Sequence, residues 1–350
     1  MSDKVKTCIV VWNKLLHNVL TSHQIIHQQM QLVKNQELQN RTSITDFILL
    51  GFGNIEDLDN LLFFLFLVIY IVTVFGNLLI VALVVAEQHL HTPMYFFLAN
   101  LAFLEICYTS TILPRMLVSF LTRDKAISLW GCIVQMHFFS TLAATECYLL
   151  AVMSYDRYLA ICRPLHYVTL MNNRTCIVLV SISWVTGLLL ITILTCLLVQ
   201  LTFCSQDAID HFFCDFTPLV RVSCSDTWVI ETTAFITSSI GILPTFLVTV
   251  TSYAFIISTI LKIPSLTGRQ KAFSTCSSHL TVVSIFYVSL MFVYILPTTG
   301  NFKDLNKIFS FLYTVITPIA NPFIYSLRNK DVKVILRKAL CQLLDFSGIH

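Results

Sequence analysis

The stretch CIVQMHFFSTLAATECYLLAVMSYDR, residues 132–157, decides what kind of protein this is. It is apolar almost throughout, opens on a cysteine and closes on an acid beside a guanidinium. As a helix, Cys132 to Arg157 extends roughly 37 Å at about 1.5 Å per residue, slightly more than the roughly 30 Å hydrocarbon core of a bilayer. Its two ends therefore face two different aqueous compartments.

Around it the whole chain has the same character. Of 350 residues, 56% are hydrophobic and only 12% charged, with a mean hydropathy of +0.77, far from the soluble average. Seven apolar runs are long enough to span, near 61–85, 93–117, 132–159, 176–199, 229–261, 272–296 and 305–327. Regular β-alternation is absent, so the expected fold is an all-α membrane protein, a seven-transmembrane helix bundle, not a barrel.

The net charge of +3 says little, but the placement of cations is lopsided. Arg163, Arg174, Lys262, Arg269, Lys271, Arg328, Lys330, Lys333, Arg337 and Lys338 fall in loops of one side. Arg123, Lys125, Arg221, Lys303 and Lys307 fall on the other, diluted by Asp207, Asp210, Asp215 and Asp226. The positive-inside rule puts the carboxyl terminus in the cytosol and, with seven spans, the amino terminus outside.

Residues 1–60 read as a polar, Gln-rich outer tail, 61–327 as the bundle and 328–350 as a cytosolic tail. Thr7 to Trp12 is too short for a signal core, so the first span is the expected export signal. Asn40-Arg-Thr is a glycosylation sequon on the outer side, whereas Asn173-Arg-Thr falls on the cytosolic side and should stay bare. In the last tail, Val332, Ile335, Leu336, Ala339, Leu340, Leu343 and Leu344 share one stripe, the pattern of a short amphipathic helix lying on membrane lipid.

Twelve cysteines do not make one framework, because most lie in spans or on the reducing side. The outer set is Cys132 with Cys204, Cys214 and Cys224 in the loop 200–228. Four thiols pair in three ways, and spacing does not choose among them. A bridge from Cys132 to that loop would hold it over the bundle as a lid. His211, Cys214 and Asp215 are poorly spaced for zinc, and His23 with His27 sits in a solvated segment, so neither a metal nor a cofactor is expected.

Charge inside the membrane is costly and marks function by default. Asp156 and Arg157 land at the cytosolic boundary, as an anchor or as a switch offered to a partner. Glu105, Glu146, Asn77 and Asn321 lie deeper, either as separately satisfied side chains or as a polar cluster gathering water or a cation. Pro318 and Pro322 predict a kinked last span.

Four segments together carry a resemblance: PMYFFLANLAFLEICYTS (93–110), MSYDRYLAICRPLHY (153–167), KAFSTCSSHL (271–280) and NPFIYSLRN (321–329). They resemble the signatures of vertebrate odorant receptors, within the rhodopsin-like G-protein-coupled receptors, and the likeness runs from about Thr45 to the carboxyl end. The loop FCSQDAIDHFFCDFTPLVRVSCSDT (203–227) is similar to that of the tetrapod-type class, which implies bridges Cys132–Cys214 and Cys204–Cys224. The resemblance further implies that Asp156, Arg157 and Tyr158 form the arginine switch, answered by Asn321, Pro322 and Tyr325, with Tyr253 and the segment Lys271 to His279 completing it. It implies that a bound odorant lets span six swing out, and that a stimulatory olfactory G protein enters and raises cyclic AMP.

Depth along the spans then places pocket candidates: Phe139, Ser140, Ala143 and Ala144 on span three; Thr237, Ser238 and Gly241 on span five; Tyr287, Leu290, Met291 and Tyr294 on span six. This uncharged lining suits a small, neutral, largely hydrophobic molecule. Some positions depart from the family: Glu105 where Asp is usual, Ala102 and Ser154 for Ser and Ala, Val288 where Gly is common, and about thirty residues before Met30. Transport is the rival expectation, through Glu105 and Glu146, but the chain lacks the repeated halves of transporters. No H-E-x-x-H, G-x-S-x-G or nucleotide loop occurs, so neither an enzyme nor a nucleic-acid partner is expected.

Overall fold

The computed structural model describes residues 46–53, 58–204, 208–296 and 303–327. The sequon at Asn40, the amino-terminal extension and the amphipathic stripe after Arg328 lie outside the described residues.

Seven helical spans form the bundle: α1 (Asp59–Ala86), α2 (Pro93–Thr122), α3 (Leu129–Cys162), α4 (Asn173–Leu198), α5 (Trp228–Leu261), α6 (Leu266–Tyr294) and α7. The last is the run Lys303–Phe311, a π-helical turn Leu312–Ile316 and Thr317–Leu327. The first five are each long and apolar enough to cross a bilayer, and α6 carries a shorter apolar stretch, His279–Tyr294. Local chemistry sets the ends. Pro93 sits in the first turn of α2, where its missing N–H costs nothing. Ser128 Oγ caps α3 through Gly131 N, and Asn172 caps α4 through Thr175 N. In α7, Pro318 cannot donate to the carbonyl four residues back, and the ladder widens to π spacing just before it.

Helix α3 is the axis of the bundle, packed against α2, α4 and α5. Its contact with α4 depends on Gly187: a methyl there would stand 3.0 Å from Thr145 N and 3.1 Å from Thr141 O. The main apolar core runs between α2, α3, α6 and α7 around Tyr108, Phe139, Phe286, Tyr287 and Tyr313, all fully buried.

A small sheet, unforeseen in the sequence, caps one end. Strand β1 (Asp46–Leu49) pairs antiparallel with β2 (Ala126–Ser128) and parallel with β3 (Ala208–Ile209). Its alternation drives the pairing: Phe47 and Leu49 are buried, while Asp46 and Ile48 face outward. Phe47 meets Phe203 edge-on at 5.5 Å. The segment ahead of α1 is thus part of the lid. Among the described residues the fold is a helical bundle with this small sheet and an isolated antiparallel bridge between Phe203 and Ser223.

Candidate functional site

The loop between α4 and α5 is pinned over the bundle by Cys132–Cys214 and closed on itself by Cys204–Cys224. Within it the short helix Phe216–Arg221 is capped by Asp215. Lys307 on α7 donates to Asp210 at 2.5 Å, tying the lid to the last span. Gln135 on α3 accepts from Cys214 N at 3.0 Å.

Beneath the short lid helix is a cavity of about 780 Å³, walled by α3, α4, α5, the end of α6 and the lid itself. Ser140, Ala143, Ala144, Thr237, Ser238, Gly241, Leu290 and Tyr294 line it. Phe139, Tyr287 and Met291 do not. Phe139 is rotated about 100° from Ser140 and packs between Tyr108, Phe213 and Tyr313. Tyr287 lies two turns deeper than Tyr294 and donates to Cys147 O at 2.8 Å. Met291 packs against the main core.

Several lining residues were not read from the sequence. Met136 and Cys147 continue the stripe of Ser140 and Ala143 and follow from helical spacing alone. Leu190, Ile191 and Leu194 of α4, and Phe216, Thr217, Val220 and Arg221 of the lid, depend on which elements meet. The expectation of an uncharged lining is corrected by Arg221 and Glu231 at the rim. Both are exposed, and Glu231 accepts from Thr227 Oγ1 at 2.8 Å. Inside, Ser140 Oγ is buried without a hydrogen-bond partner.

The lid meets the bundle through a polar relay. Tyr294 donates to Asp215 at 2.8 Å and its hydroxyl lies 2.8 Å from that of Tyr313 on α7. Burial lifts the Asp215 carboxyl to about 6 despite that bond, and burial beside Lys307 holds His211 down to about 3. His211 stacks on Phe212 and meets Phe213 edge-on, each at 4.7 Å. Among the described residues no group of His, Cys, Asp or Glu is arranged to hold a metal ion.

Deeper, three of the four intramembrane polar residues meet across α1, α2 and α7. Asn321 donates to Glu105, and Asn77 donates to Thr73 O at 3.1 Å and toward Pro318 O at 3.5 Å. Glu146 lies within electrostatic reach of Glu105, its two oxygens buried without a hydrogen-bond partner.

At the end remote from the lid, Asp156 is buried and accepts from Tyr167 on the short helix Pro164–Leu170 at 2.9 Å. Among the described residues it makes no ion pair with Arg157. Arg157 is half-buried, within electrostatic reach of Tyr253, Cys276 and His279, and Tyr253 is hydrogen-bonded to His279. Tyr158 packs against Tyr155 and Phe255. Pro322 lies within α7 against α1, where a methyl on Gly76 would come 2.9 Å from its Cβ. Lys271 and Tyr325 fall on α6 and α7, their side chains outside the described set.

A seven-helix bundle with a disulfide-held lid over an apolar cavity, and an Asp-Arg-Tyr with its acid buried at the opposite end, is the build of a G-protein-coupled receptor. The sequence profile of the olfactory receptor family matches residues 66–343. Olfactory receptor 2AP1 of Homo sapiens is 46% identical over 308 residues, 88% of this chain and 100% of that one. Olfactory receptor 6E1 of Mus musculus is 47% identical over 311 residues, 89% of this chain and 99% of its own. The chain belongs to the olfactory receptor family. It is an odorant receptor of the plasma membrane, crossing it several times, and not an enzyme.

Proposed function

We propose that the cavity under the lid binds a small, neutral, mainly hydrophobic odorant, and that occupancy drives a stimulatory olfactory-type G protein to raise cyclic AMP. The observation that carries this reading is the cavity: about 780 Å³, mostly aliphatic and aromatic, with Ser140 and Ser238 as interior hydroxyls and charges only at its exposed rim. That size and polarity match ligand sites for small organic molecules. In this reading the lid end faces outside and the Arg157 end the cytosol, as the cation distribution favours.

The ligand shifts the bundle only by its differential affinity for two arrangements. Tyr294 and Leu290 put α6 into the cavity wall, and the same helix carries His279 next to Tyr253 at the other end. A tilt of α6 that closes on ligand above would part this pair below and free Arg157 for the partner. Asn77, Glu105, Glu146 and Asn321 form the polar core around which α1, α2, α3 and α7 readjust, as a site for water or a cation.

The test is cyclic AMP in cells expressing the chain, scanned with an odorant panel. Agonists raise it, and Arg157→Ala abolishes the rise with surface delivery intact. Ion current without a G protein would favour transport through the buried acids instead. For orientation, deglycosylation shifts the protein but not Asn40→Gln. A sugar on Asn173 would invert the topology.

A further inference from the structure

The described part of the lid that covers the cavity is the short helix Phe216–Arg221, which contributes Phe216, Thr217, Val220 and Arg221 to its lining. The rest of the lid layer is firmly held: strand β1 is hydrogen-bonded on both sides, Phe47 is fully buried, and Phe52 stacks on Phe66 and Phe212 at 6.0 and 5.0 Å. Two disulfides and the Lys307–Asp210 pair hold the same layer. An odorant arriving along the bundle axis meets the lid helix, whose loop this layer anchors.

The cavity wall is not closed everywhere. Among the described lining residues four are exposed: Arg221 on the lid helix, Glu231 and Phe235 on α5, and Leu296 just beyond α6. Phe235 is 52% and Leu296 53% exposed, although both also face the cavity. So large an exposure on lining side chains makes this the least covered stretch of the cavity wall among the described residues.

The chemistry along α5 fixes which phase that wall meets. Trp228, 70% exposed at the start of the helix, is of the type that sits at the headgroup level. Glu231 must stay in reach of water. Phe235 lies about 10 Å further along the helix than Trp228, at 1.5 Å per residue, and so on the hydrocarbon side of the interface. A hydrophobic molecule is already concentrated in that layer by partitioning.

We propose that the ligand is loaded sideways from the membrane, through a portal at the lid end of α5 and α6, with Phe235 as its gate. The charged rim of Arg221 and Glu231 marks the water edge of the portal, and rotation of one aromatic side chain opens it while the lid stays in place. The proposal rests on the reading that the cavity is the ligand site. It explains how a site under a covalently fixed cover exchanges its ligand.

A gate differs from a contact in kinetics. Enlarging or removing a gate changes association and dissociation by the same factor and leaves their ratio alone, whereas a contact changes the ratio. The experiment uses the full chain in lipid nanodiscs with an agonist taken from the cell screen, radiolabelled to follow binding in time. Phe235→Ala is expected to speed both rates at least fivefold and Phe235→Trp to slow both to a similar extent; any change in Kd reports the part of Phe235 that lines the cavity, and the shared change in both rates reports the gate. A Kd that moves with an unchanged association rate makes Phe235 a contact and overturns the proposal. Unchanged rates in the Ala variant place the route elsewhere and overturn it too. Gly241→Phe, which fills the cavity from α5, separates this from failure of the underlying reading: saturable binding that survives the filling sinks the cavity as the site.

Discussion

At the lid end, the loop between α4 and α5 is closed by one disulfide and bound to α3 by another, and a three-stranded sheet, the Lys307–Asp210 ion pair and the Asp215–Tyr294–Tyr313 relay complete the layer. At the Arg157 end, the contacts described are hydrogen bonds and packing: Tyr167 on Asp156, Tyr253 on His279, and a cluster of Tyr253, Ile256 and Ile260. The cavity lies beside the first set. Under the proposed function, ligand recognition needs a wall that stays put, and covalent bonds with buried pairing supply it. A partner-binding mouth needs contacts that break at a cost of a few kcal/mol, which single hydrogen bonds and small apolar clusters satisfy.

The strongest challenge to this contrast is Cys132→Ser. Losing a native disulfide typically costs about 2–5 kcal/mol, so the variant should melt several degrees lower and lose most agonist binding. An unchanged melting curve with normal binding would mean that the sheet and ion pair hold the lid alone.

Next in size is the seam between the two ends. In Gly187→Ala the added methyl meets backbone atoms of α3 at Thr145 and Thr141, and overpacking of this kind costs about 1–3 kcal/mol. Thermal unfolding should register it with agonist selectivity intact. A neutral result would show that α4 is loosely held and that the ends differ less than their contacts imply.

Tyr167→Phe then probes the reversible end, removing the donor held 2.9 Å from buried Asp156. A hydrogen bond to a charged group is worth about 1.5–3 kcal/mol, so agonist-free cyclic AMP should rise severalfold while agonist affinity changes little. Equal or lower basal signalling would make the short helix a brace for the active arrangement.

The smallest effect is a pH response that nearly cancels. Asp215 carries a folded value of about 6, above its unfolded one, so it binds protons preferentially when folded and stability falls as pH rises from about 4 to 6. His211, lowered to about 3, stays neutral in the fold while the unfolded chain takes up a proton, so its contribution is lost as pH falls below about 6.5. The slopes oppose each other at about 1.4 kcal/mol per pH unit each. Lys307, Asp210 and Tyr294 are the charged and hydroxyl groups acting on the pair. The wild-type melting temperature should therefore be nearly flat between pH 6 and 4, whereas His211→Phe should become more stable toward acid. A steep wild-type loss over that range would show that the Asp215 contribution is absent.

The periodicity of α3 exposed Ser140, Ala143 and Ala144, because residues three and four apart share a face whatever the helix packs against. Depth alone did not separate Phe139 from Ser140, neighbours that point to different partners. It also misplaced Tyr287 relative to the cavity, since a tyrosine at this depth serves equally well as a wall or as a donor to Cys147 O. The contribution of α4 was hidden because nothing in Leu190, Ile191 or Leu194 tells which of its neighbours α4 will face. Strand β1 was hidden for another reason: four residues of alternation become a strand only when β2 and β3 offer their edges.

The chain by itself determined that seven apolar segments cross a membrane, that Asp156 and Arg157 sit at one boundary, and that Cys132, Cys204, Cys214 and Cys224 share the other. Those follow from transfer energies and helix length, which are local properties of a segment. Tertiary structure alone decided that the lid includes the segment before α1, that charge stands at the cavity rim, and that Phe235 lines the cavity while remaining exposed. Each depends on which surfaces meet, and a one-dimensional pattern of polarity carries no information about distances between its own distant parts.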